Sequence, residues 1–262
     1  MARKVFVAAT GQNSGKTTTS LSLMYMARKK YRRVGFIKPF GPKPSIARNG
    51  MVVDKDAALM AEVFDLEEDL PLMSPLVLHP GDTQKLLEGE LSGAEMERKM
   101  FHAIDELDRK NDFLIIEGAG HTGVGSVLGF SNARVAKIAD APVVMVTGGG
   151  VGNVVDSAYM NLALFEKEQA DVRAVLVNKI IPEKREKTLR YLELAFAKET
   201  FKVVGGFNYQ PILANPTLRR ISQVLDVPLH GNQEAAGQIA HHVQIGSAAT
   251  QRVTELLKES SL

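Results

Sequence analysis

The sequence predicts an α/β fold of three layers, in which a mostly parallel sheet is covered by helices on both faces. Short apolar runs alternate with longer segments in which apolar residues recur at helical spacing. Glycine-rich or charged segments follow the apolar runs, where the ligand-binding loops of a parallel sheet lie. The chain has 262 residues, 45% of them hydrophobic, which suits one large domain or one domain with an appendage.

Six strands are predicted from apolar runs, at residues 5–9, 34–38, 113–116, 142–146, 172–177 and 203–207. Helices are predicted between them, after residue 17, at residues 56–64, 93–110 and 132–139, around residues 155–165, and at residues 183–197. The longest carries an apolar stripe on one face, formed by Met96, Met100, Ala103 and Leu107. Strands that alternate with helices of this length indicate βαβ units and therefore a parallel sheet.

The character of the sequence changes after about residue 209, where Pro211, Pro216 and Pro228 interrupt the chain. Helices are predicted at residues 217–224 and 250–258, with no strong strand between them. We therefore expect a main domain at residues 1–209 and a C-terminal segment at residues 210–262. About fifty residues with so small a core are marginal alone, so this segment is expected to pack on the main domain or to open a longer module.

Composition excludes several classes of partner. Lys and Arg number 32 against 30 Asp and Glu, and this balance gives no electrostatic case for nucleic acid or an anionic membrane as a partner. The sequence has no apolar run of about 18 residues, so no membrane span is expected. The first predicted strand begins by Lys4, so no signal peptide is expected. Cysteine is absent, which excludes disulfides and thiolate metal sites. A cytoplasmic location is the expectation.

Residues 10–20 read TGQNSGKTTTS and join the first strand to a helix. The ending matches the phosphate-binding pattern G-x-x-x-x-G-K-[ST], although Thr10 stands where the first glycine belongs. Free N–H groups at the start of the helix favour phosphate, Lys16 would reach the β- and γ-phosphates, and the Thr17 hydroxyl would hold Mg²⁺. The alternative is an ordinary glycine-containing turn. The predicted nucleotide-binding residues of this loop are Thr10, Gly11, Gln12, Asn13, Ser14, Gly15, Lys16, Thr17 and Thr18.

Gly11 lies one residue after the missing glycine and is expected to take over its role. Glycine serves there when the backbone needs a positive φ or must approach a phosphate without a Cβ. Thr10 would then remain extended at the end of the strand, which its β-branched side chain favours. Its hydroxyl would donate to a phosphate oxygen or cap the turn.

Two acidic residues and one lysine are candidates for metal and phosphoryl chemistry. Glu117 ends the third strand, where an acid in a phosphate-loop protein holds Mg²⁺ directly or through water. Asp56 would supply a second carboxylate; alternatively, Asp54 caps the helix and Asp56 merely suits the helix dipole. Lys38 closes the second strand, where it would stabilise charge on a transferring phosphoryl group or would simply be solvated.

A glycine-rich loop follows Glu117 and contains Gly118, Gly120, His121 and Gly123, a density of glycine that suggests close approach to a ligand. His121 is either a phosphate donor, a base or a plain loop histidine. After the fifth strand, Asn178 and Lys179 resemble the start of the guanine-reading sequence N-K-x-D, but Ile181 replaces its aspartate. Adenine is therefore the expected base.

Together these residues resemble the dethiobiotin synthetase family of P-loop ATPases, and more closely the dethiobiotin-synthetase-like domain at the N-terminus of long bacterial phosphotransacetylases and its stand-alone relatives. The resemblance runs from Lys4 to about Pro211. It implies a P-loop NTPase fold, ATP and Mg²⁺ as cofactors, and a homodimer or larger homo-oligomer. Its residue roles are phosphate binding by residues 14–17, catalysis by Lys16 and Lys38, magnesium binding by Thr17, Asp56 and Glu117, and adenine recognition by Asn178. Residues 215–246 look like the opening of a DRTGG domain, although the string D-R-T-G-G itself does not occur and the chain is expected to stop partway through that module.

The sequence departs from dethiobiotin synthetase where that enzyme binds its own substrate. Asp156 takes the place of an asparagine that assists the substrate carboxylate, and residues 122–129 replace the family's loop. A carboxylate that faces a carboxylate ligand is repulsive, so dethiobiotin synthesis is not expected. Two functions remain open. We favour a nucleotide-sensing regulatory or assembly domain linked to phosphotransacetylase-type proteins; the alternative is an ATP-dependent carboxylase or amide ligase that acts through a phosphorylated intermediate.

Overall fold

The computed structural model describes residues 1–210, 213 and 215–240. The chain divides into two compact units, Met1–Asn208 and Tyr209–Leu262. The helix predicted at residues 250–258 lies outside the described residues. Within the described part of the chain, no helix combines the length and the apolar character needed to cross a membrane.

The strands of the first unit are β1 (Arg3–Ala9), β2 (Val34–Ile37), β3 (Phe40–Gly41), β4 (Pro44–Ile46), β5 (Val52–Asp54), β6 (Leu76–Val77), β7 (Phe113–Glu117), β8 (Val143–Gly148), β9 (Val172–Asn178) and β10 (Lys202–Gly205). Its helices are α1 (Lys16–Arg28), α2 (Lys55–Phe64), α3 (Leu70–Met73), α4 (Asp82–Leu87), α5 (Gly93–Lys110), α6 (Asn132–Ile138), α7 (Val151–Lys167) and α8 (Arg185–Ala195).

Six of these strands form the main sheet, in the order β10-β9-β8-β1-β7-β2, and every pairing within it is parallel. The central strand β1 shows why both faces are covered. Phe6 and Ala8 belong to one apolar cluster, whereas Val7 and Ala9 belong to a second, because successive side chains of a strand point to opposite faces. Helices α5, α6 and α7 contribute to the first cluster, and α1 and α2 to the second. The predicted three-layer α/β fold is confirmed.

Residues 38–92 contain more structure than the sequence indicates. Beyond the predicted helix α2, the chain forms two small sheets, β3 with β6 and β4 with β5, and the short helices α3 and α4. Strands of two or three residues are too short to show a hydrophobic period. This insertion matters for the site because β5 leads directly into α2, whose first turn contains Asp56.

The second unit contains α9 (Leu218–Leu225) and a 3₁₀ turn at Gln233–Gly237 within its described residues. The Thr217 hydroxyl caps α9 by accepting from the N–H of Arg220. Thr217 also forms an antiparallel bridge with Ile239. The helix predicted at residues 217–224 is therefore present, shifted by one residue, and its assignment to a DRTGG-type module stays a prediction.

Candidate nucleotide-binding site

The phosphate-loop candidate lies between β1 and α1, at the carboxyl edge of the sheet. Helix α1 begins at Lys16, and Gly15 occupies its N-cap position with no side-chain cap, so the first N–H groups of the helix are open to an anion. Two residues of the loop adopt left-handed backbone, Asn13 with φ 57° and Gly15 with φ 100°. Gln12, Asn13 and Thr18 are exposed, whereas Lys16 is buried.

The expectation that Gly11 supplies a positive φ is wrong. Gly11 is not among the residues with left-handed backbone, and a Cβ built on it would meet only the Ser14 hydroxyl at 3.9 Å. Asn13 takes the left-handed position instead, which asparagine tolerates better than most residues. The glycine that the fold requires is Gly15, where a Cβ would collide with the amide nitrogen of Asn178. The second expected role of Gly11, close approach to a phosphate, remains a prediction.

Thr10 continues the pairing of β1 by one residue, because its N–H donates to the Val146 carbonyl at 3.0 Å. Its hydroxyl donates to the Thr147 hydroxyl at 3.1 Å on the neighbouring strand β8. The Thr10 side chain is therefore tied to the sheet in this arrangement and caps no turn.

Lys16 turns back from the start of α1 towards the glycine-rich loop, where its Nζ donates to the Gly120 carbonyl at 2.7 Å. Burial lowers the pKa of Lys16 to about 8, and the charge of Lys38 adds to this, against the opposing effect of Glu117 and Asp56. Lys43 also acts on Lys16 in the same direction as Lys38. A partly desolvated ammonium in this position is suited to a polyphosphate, whose charge would favour the protonated form.

Lys38 lies at the centre of a buried ion cluster. Its Nζ is 2.6 Å from Asp56 Oδ2 and 2.9 Å from Glu117 Oε1, and the side chains of Lys38 and Glu117 are 4% and 0% exposed. Burial would lower the pKa of Lys38, but the charges of Glu117 and Asp56 outweigh it and hold that pKa above its ordinary value. Burial would likewise raise the pKa of Asp56, but the adjacent Lys38 keeps it below its ordinary value. The alternative of a solvated Lys38 is therefore wrong.

Asp54 and Asp56 divide two tasks between them. The Asp54 carboxylate caps α2 by accepting from the N–H of Asp56 at 2.9 Å. It also accepts from the N–H of Lys43 at 3.4 Å, and burial raises its pKa. With the cap supplied by Asp54, the Asp56 carboxylate does more than suit the helix dipole, since it pairs with Lys38.

The oxygen atoms around Lys38 form a set that fits Mg²⁺. Thr17 Oγ1 donates to Glu117 Oε1 at 3.1 Å, which joins the phosphate loop to the ion cluster. Glu117 Oε2 is buried without a hydrogen-bond partner, so the carboxylate still has an acceptor to satisfy. Hydroxyl and carboxylate oxygens are ligands that Mg²⁺ prefers. Among the described residues no group of three acidic or histidine side chains forms a cage. Mg²⁺ commonly uses one or two carboxylates together with water and phosphate oxygens.

The glycine-rich loop after β7 is held by Asn132, a residue that the sequence analysis missed. Its Nδ2 donates to the carbonyls of Ala119 and His121, both at 2.6 Å, and its Oδ1 accepts from the Ala119 N–H at 3.1 Å. Gly118 packs so closely against this amide that a Cβ would meet Asn132 Oδ1 at 2.7 Å. The exposed His121 accepts from the N–H of Gly123 at 3.2 Å through Nδ1. Its role towards a ligand remains a prediction.

Asn161 on α7 was also missed. Its Oδ1 accepts from the Thr122 N–H at 3.1 Å, and its Nδ2 donates to the carbonyls of Ser157 at 2.8 Å and Thr10 at 3.4 Å. One side chain thus connects the end of β1, the glycine-rich loop and α7. A polar residue beside the apolar stripe of α7 was the only signal in the sequence that could have indicated it.

Asn178 and Lys179 lie where β9 ends and contact the phosphate loop directly. Asn178 Nδ2 donates to the Ser14 carbonyl at 3.0 Å, and Lys179 Nζ donates to the Asn13 carbonyl at 2.7 Å. Asn178 Oδ1 accepts from the N–H of Phe207 at 3.2 Å. The structure therefore brings together Lys16, Thr17, Lys38, Asp56, Glu117 and Asn178, the last of these through its contact with Ser14.

The chain is similar in sequence to three curated proteins with different names. The chain is 22% identical to a phosphate acetyltransferase from Synechocystis over 254 residues, which cover 92% of this chain and 34% of that protein. It is 26% identical to the ATP-dependent dethiobiotin synthetase BioD from Methanocaldococcus jannaschii over 206 residues, 77% of this chain and 89% of that protein. It is 24% identical to a cobyric acid synthase from Lachnoclostridium phytofermentans over 198 residues, 68% of this chain and 38% of that protein. The chain spans about a third of the phosphate acetyltransferase.

The comparison with solved structures matches the chain to the MinC:MinD cell division protein complex from Aquifex aeolicus and to apo McdA from Cyanothece. The first has a TM-score of 0.48 and 15% identity and covers 81% of this chain and 84% of that chain. The second has a TM-score of 0.49 and 11% identity and covers 80% and 88%. The family model AAA_26, described as an AAA domain, matches residues 3–217. The chain therefore belongs to the AAA_26 family and has a P-loop fold of the dethiobiotin synthetase-like kind.

Proposed function

We propose that the chain binds Mg²⁺-ATP and works as a nucleotide-sensing regulatory or assembly domain linked to phosphotransacetylase-type proteins. The observation that carries the proposal is the buried cluster of Lys38, Asp56 and Glu117, joined through Thr17 to the phosphate loop. A structural loop has no need of a buried charge cluster, because charges are costly to desolvate. Adenine is the proposed base, since Ile181 cannot supply the carboxylate that guanine selection uses.

Each residue of the site has a task in this proposal. The open N–H groups at the start of α1 bind the phosphates, and Lys16 pairs with their β- and γ-oxygens. Thr17, Asp56 and Glu117 would hold the magnesium ion, which when bound neutralises charge on the phosphate oxygens. Lys38 keeps a positive charge within reach of the terminal phosphoryl group.

The residue that replaces the substrate-binding asparagine of dethiobiotin synthetase supports sensing over synthesis. Asp156 is exposed on α7, and within the described part of the chain no cation lies at ion-pair distance from it. A free carboxylate there would repel a carboxylate substrate. The proposal includes a homodimer or larger homo-oligomer in the cytoplasm and a DRTGG-type character for residues 210–262.

An ATP-dependent carboxylase or amide ligase is the second candidate, because the buried Lys38 would equally stabilise a phosphorylated intermediate. The name of one curated relative, the ATP-dependent dethiobiotin synthetase, also supports it. Incubation with diaminopelargonate, ATP and bicarbonate tests one reaction of this second candidate, the synthesis of dethiobiotin. We expect no dethiobiotin, and measurable turnover would restore the enzyme function.

Calorimetric titration tests nucleotide and metal binding. We expect ATP to bind more tightly than GTP, and equal affinities would contradict the adenine assignment. Glu117→Gln and Asp56→Asn should weaken ATP binding far more in Mg²⁺ than in EDTA, because each removes charge from the metal ligands and leaves the loop N–H groups intact.

Sedimentation velocity with and without Mg²⁺-ATP tests assembly, and an unchanged distribution of sedimentation coefficients would count against the assembly role.

A further inference from the structure

We propose that Asn178 and Lys179 are positioning residues of the phosphate loop, which hold its carbonyl groups outward so that its N–H groups face the phosphates. The inference rests on the proposed nucleotide binding and goes beyond it. It gives Asn178 a task different from the adenine recognition that the family resemblance implies. Adenine recognition requires a base in the ligand, whereas positioning of the loop affects any ligand with the phosphates. The two tasks can therefore be distinguished by experiment.

Four carbonyl groups of the loop are paired, two of them by side chains from outside it. The Asn13 carbonyl accepts from Lys179 Nζ at 2.7 Å, and the Ser14 carbonyl accepts from Asn178 Nδ2 at 3.0 Å. Within the loop and α1, the Gly11 carbonyl accepts from the Ser14 hydroxyl and the Gly15 carbonyl from the Thr19 hydroxyl, both at 2.9 Å. Two of these four carbonyls thus depend on the two residues that follow β9.

An anion-binding loop needs such partners. When consecutive N–H groups converge on a phosphate, the carbonyls of the same peptides point away from it. A carbonyl removed from water without a hydrogen bond destabilises the arrangement, which applies to the Ser14 carbonyl, whose contact with Asn178 is partly buried. The contact of Lys179 with the Asn13 carbonyl is exposed, and there the charge of the ammonium strengthens the hydrogen bond. Pairing the carbonyls before the ligand arrives lets the loop keep its binding shape, which lowers the cost of ordering on binding.

Asn178 is fixed from both ends of its amide. Its Oδ1 accepts from the N–H of Phe207, and the residue is 3% exposed. Its Nδ2 lies against Gly15, so closely that any Cβ there would collide with it. The amide is thus wedged between the segment after β10 and the loop.

Lys179 adds a charge to the same contact. It adopts left-handed backbone with φ 54°, an unusual conformation for lysine that persists only where its surroundings hold it. Its side chain reaches across to the loop, and in the described part of the chain no carboxylate pairs with it. The ammonium is therefore left to bind the Asn13 carbonyl and to favour an anion in the loop.

The test compares Mg²⁺-ATP with tripolyphosphate, which has the phosphates and no base. For Asn178→Ala and Lys179→Met we expect both ligands to bind about tenfold more weakly, the effect of losing a hydrogen bond of this kind. Lys179→Arg should restore most of the affinity. Lys184→Met, at an exposed lysine a few residues further on, should leave both affinities unchanged. Circular dichroism shows whether each variant is folded.

Three results would overturn the inference. In the first, ATP binding is weakened while tripolyphosphate binding is unchanged, which assigns Asn178 to the base. In the second, Lys179→Met binds both ligands as the wild type does; this exposed substitution decides the matter if Asn178→Ala fails to fold. In the third, the wild type binds neither ligand, which overturns the nucleotide proposal as well. A wild type that binds tripolyphosphate and not ATP removes only the nucleotide proposal, and the variants still test the loop.

Discussion

Lys38 is the residue on which the charge balance of the site depends. Its ammonium lies between two carboxylates that are themselves largely withdrawn from water, with Asp56 14% and Glu117 0% exposed at the side chain. Each carboxylate is acceptable there because the lysine pairs with it. Removing one partner of a buried ion pair leaves an uncompensated charge, which costs more than the pair contributed.

We predict that Lys38→Met lowers the free energy of unfolding in EDTA by about 3–5 kcal/mol, the usual cost of breaking a buried pair. Mg²⁺ without nucleotide should recover part of this loss, because a cation can then pair with the two carboxylates. Urea denaturation with EDTA or Mg²⁺ measures both effects. Lys43→Met is the matched control, an exposed neighbour whose loss should cost little. If both variants lose the same stability, the cluster does not carry the charge balance.

The lowered pKa of Lys16 predicts how the stability of the protein without nucleotide depends on pH. Its pKa is lowered to about 8 from 10.5, so between these values the unfolded chain binds more protons than the folded chain and stability rises with pH. Lys16→Met should therefore gain stability over the wild type at pH 7, and the gain should shrink as the pH rises from about 8 to 10.5. Denaturation in EDTA across this range measures the difference. A constant difference would contradict the lowered pKa.

At the scale of the element, the phosphate loop shows how β1 and α1 determine the conformation of the residues between them. Thr10 is held in the sheet by hydrogen bonds to Val146 and Thr147. Gly15 is the N-cap residue of α1, so the backbone must reach the start of the helix at this position. The turn is therefore made by Asn13 and Gly15. Gly11 precedes these two residues and does not have left-handed backbone.

This assignment predicts opposite results for the two glycines of the loop. Gly15→Ala forces a side chain into left-handed backbone and against Asn178, and should cost about 1–2 kcal/mol or more in unfolding free energy. Gly11→Ala should change stability by less than about 0.5 kcal/mol. Chemical denaturation measures both. ATP titration of Gly11→Val tests separately whether a phosphate approaches that residue closely, and normal binding would show that it does not.

At the scale of the molecule, the fold depends on a sheet with apolar clusters on both faces. Phe6 is fully buried on β1, between β7 and β8, and belongs to the larger cluster. The same strand leads directly into the phosphate loop. Packing of this apolar cluster against the sheet therefore stabilises β1, the strand from which the phosphate loop begins.

We predict that Phe6→Ala lowers the free energy of unfolding by about 3–5 kcal/mol, because it removes buried contacts and leaves a cavity. Met26→Ala, on the exposed side of α1, should stay within about 0.5 kcal/mol of the wild type. Guanidinium denaturation followed by circular dichroism compares the two. A small effect of Phe6→Ala would mean that the centre of the sheet is not the main source of stability.

The sequence by itself determined the order of the six main strands and of the helices between them outside residues 65–92, the parallel sheet and the position of the phosphate loop. These follow from local patterns: an apolar run, a helical stripe, and a lysine and threonine where a helix begins. Asp56 and Glu117 could be predicted as metal ligands because Asp56 lies where a helix begins and Glu117 lies where a strand ends. The short strands of residues 38–92 could not be predicted, since two or three residues show no period.

Only the tertiary structure decided which of these residues meet. Lys38 contacts Asp56 and Glu117 across 18 and 79 residues of chain, and Asn178 contacts Ser14 across 164. Such contacts depend on the strand order β10-β9-β8-β1-β7-β2, which brings distant carboxyl ends to one edge. The direction of each side chain there is set by packing, and a pattern of single residues carries no information about it. That is why the charges of the site were found in the sequence, whereas their pairing was found only in the fold.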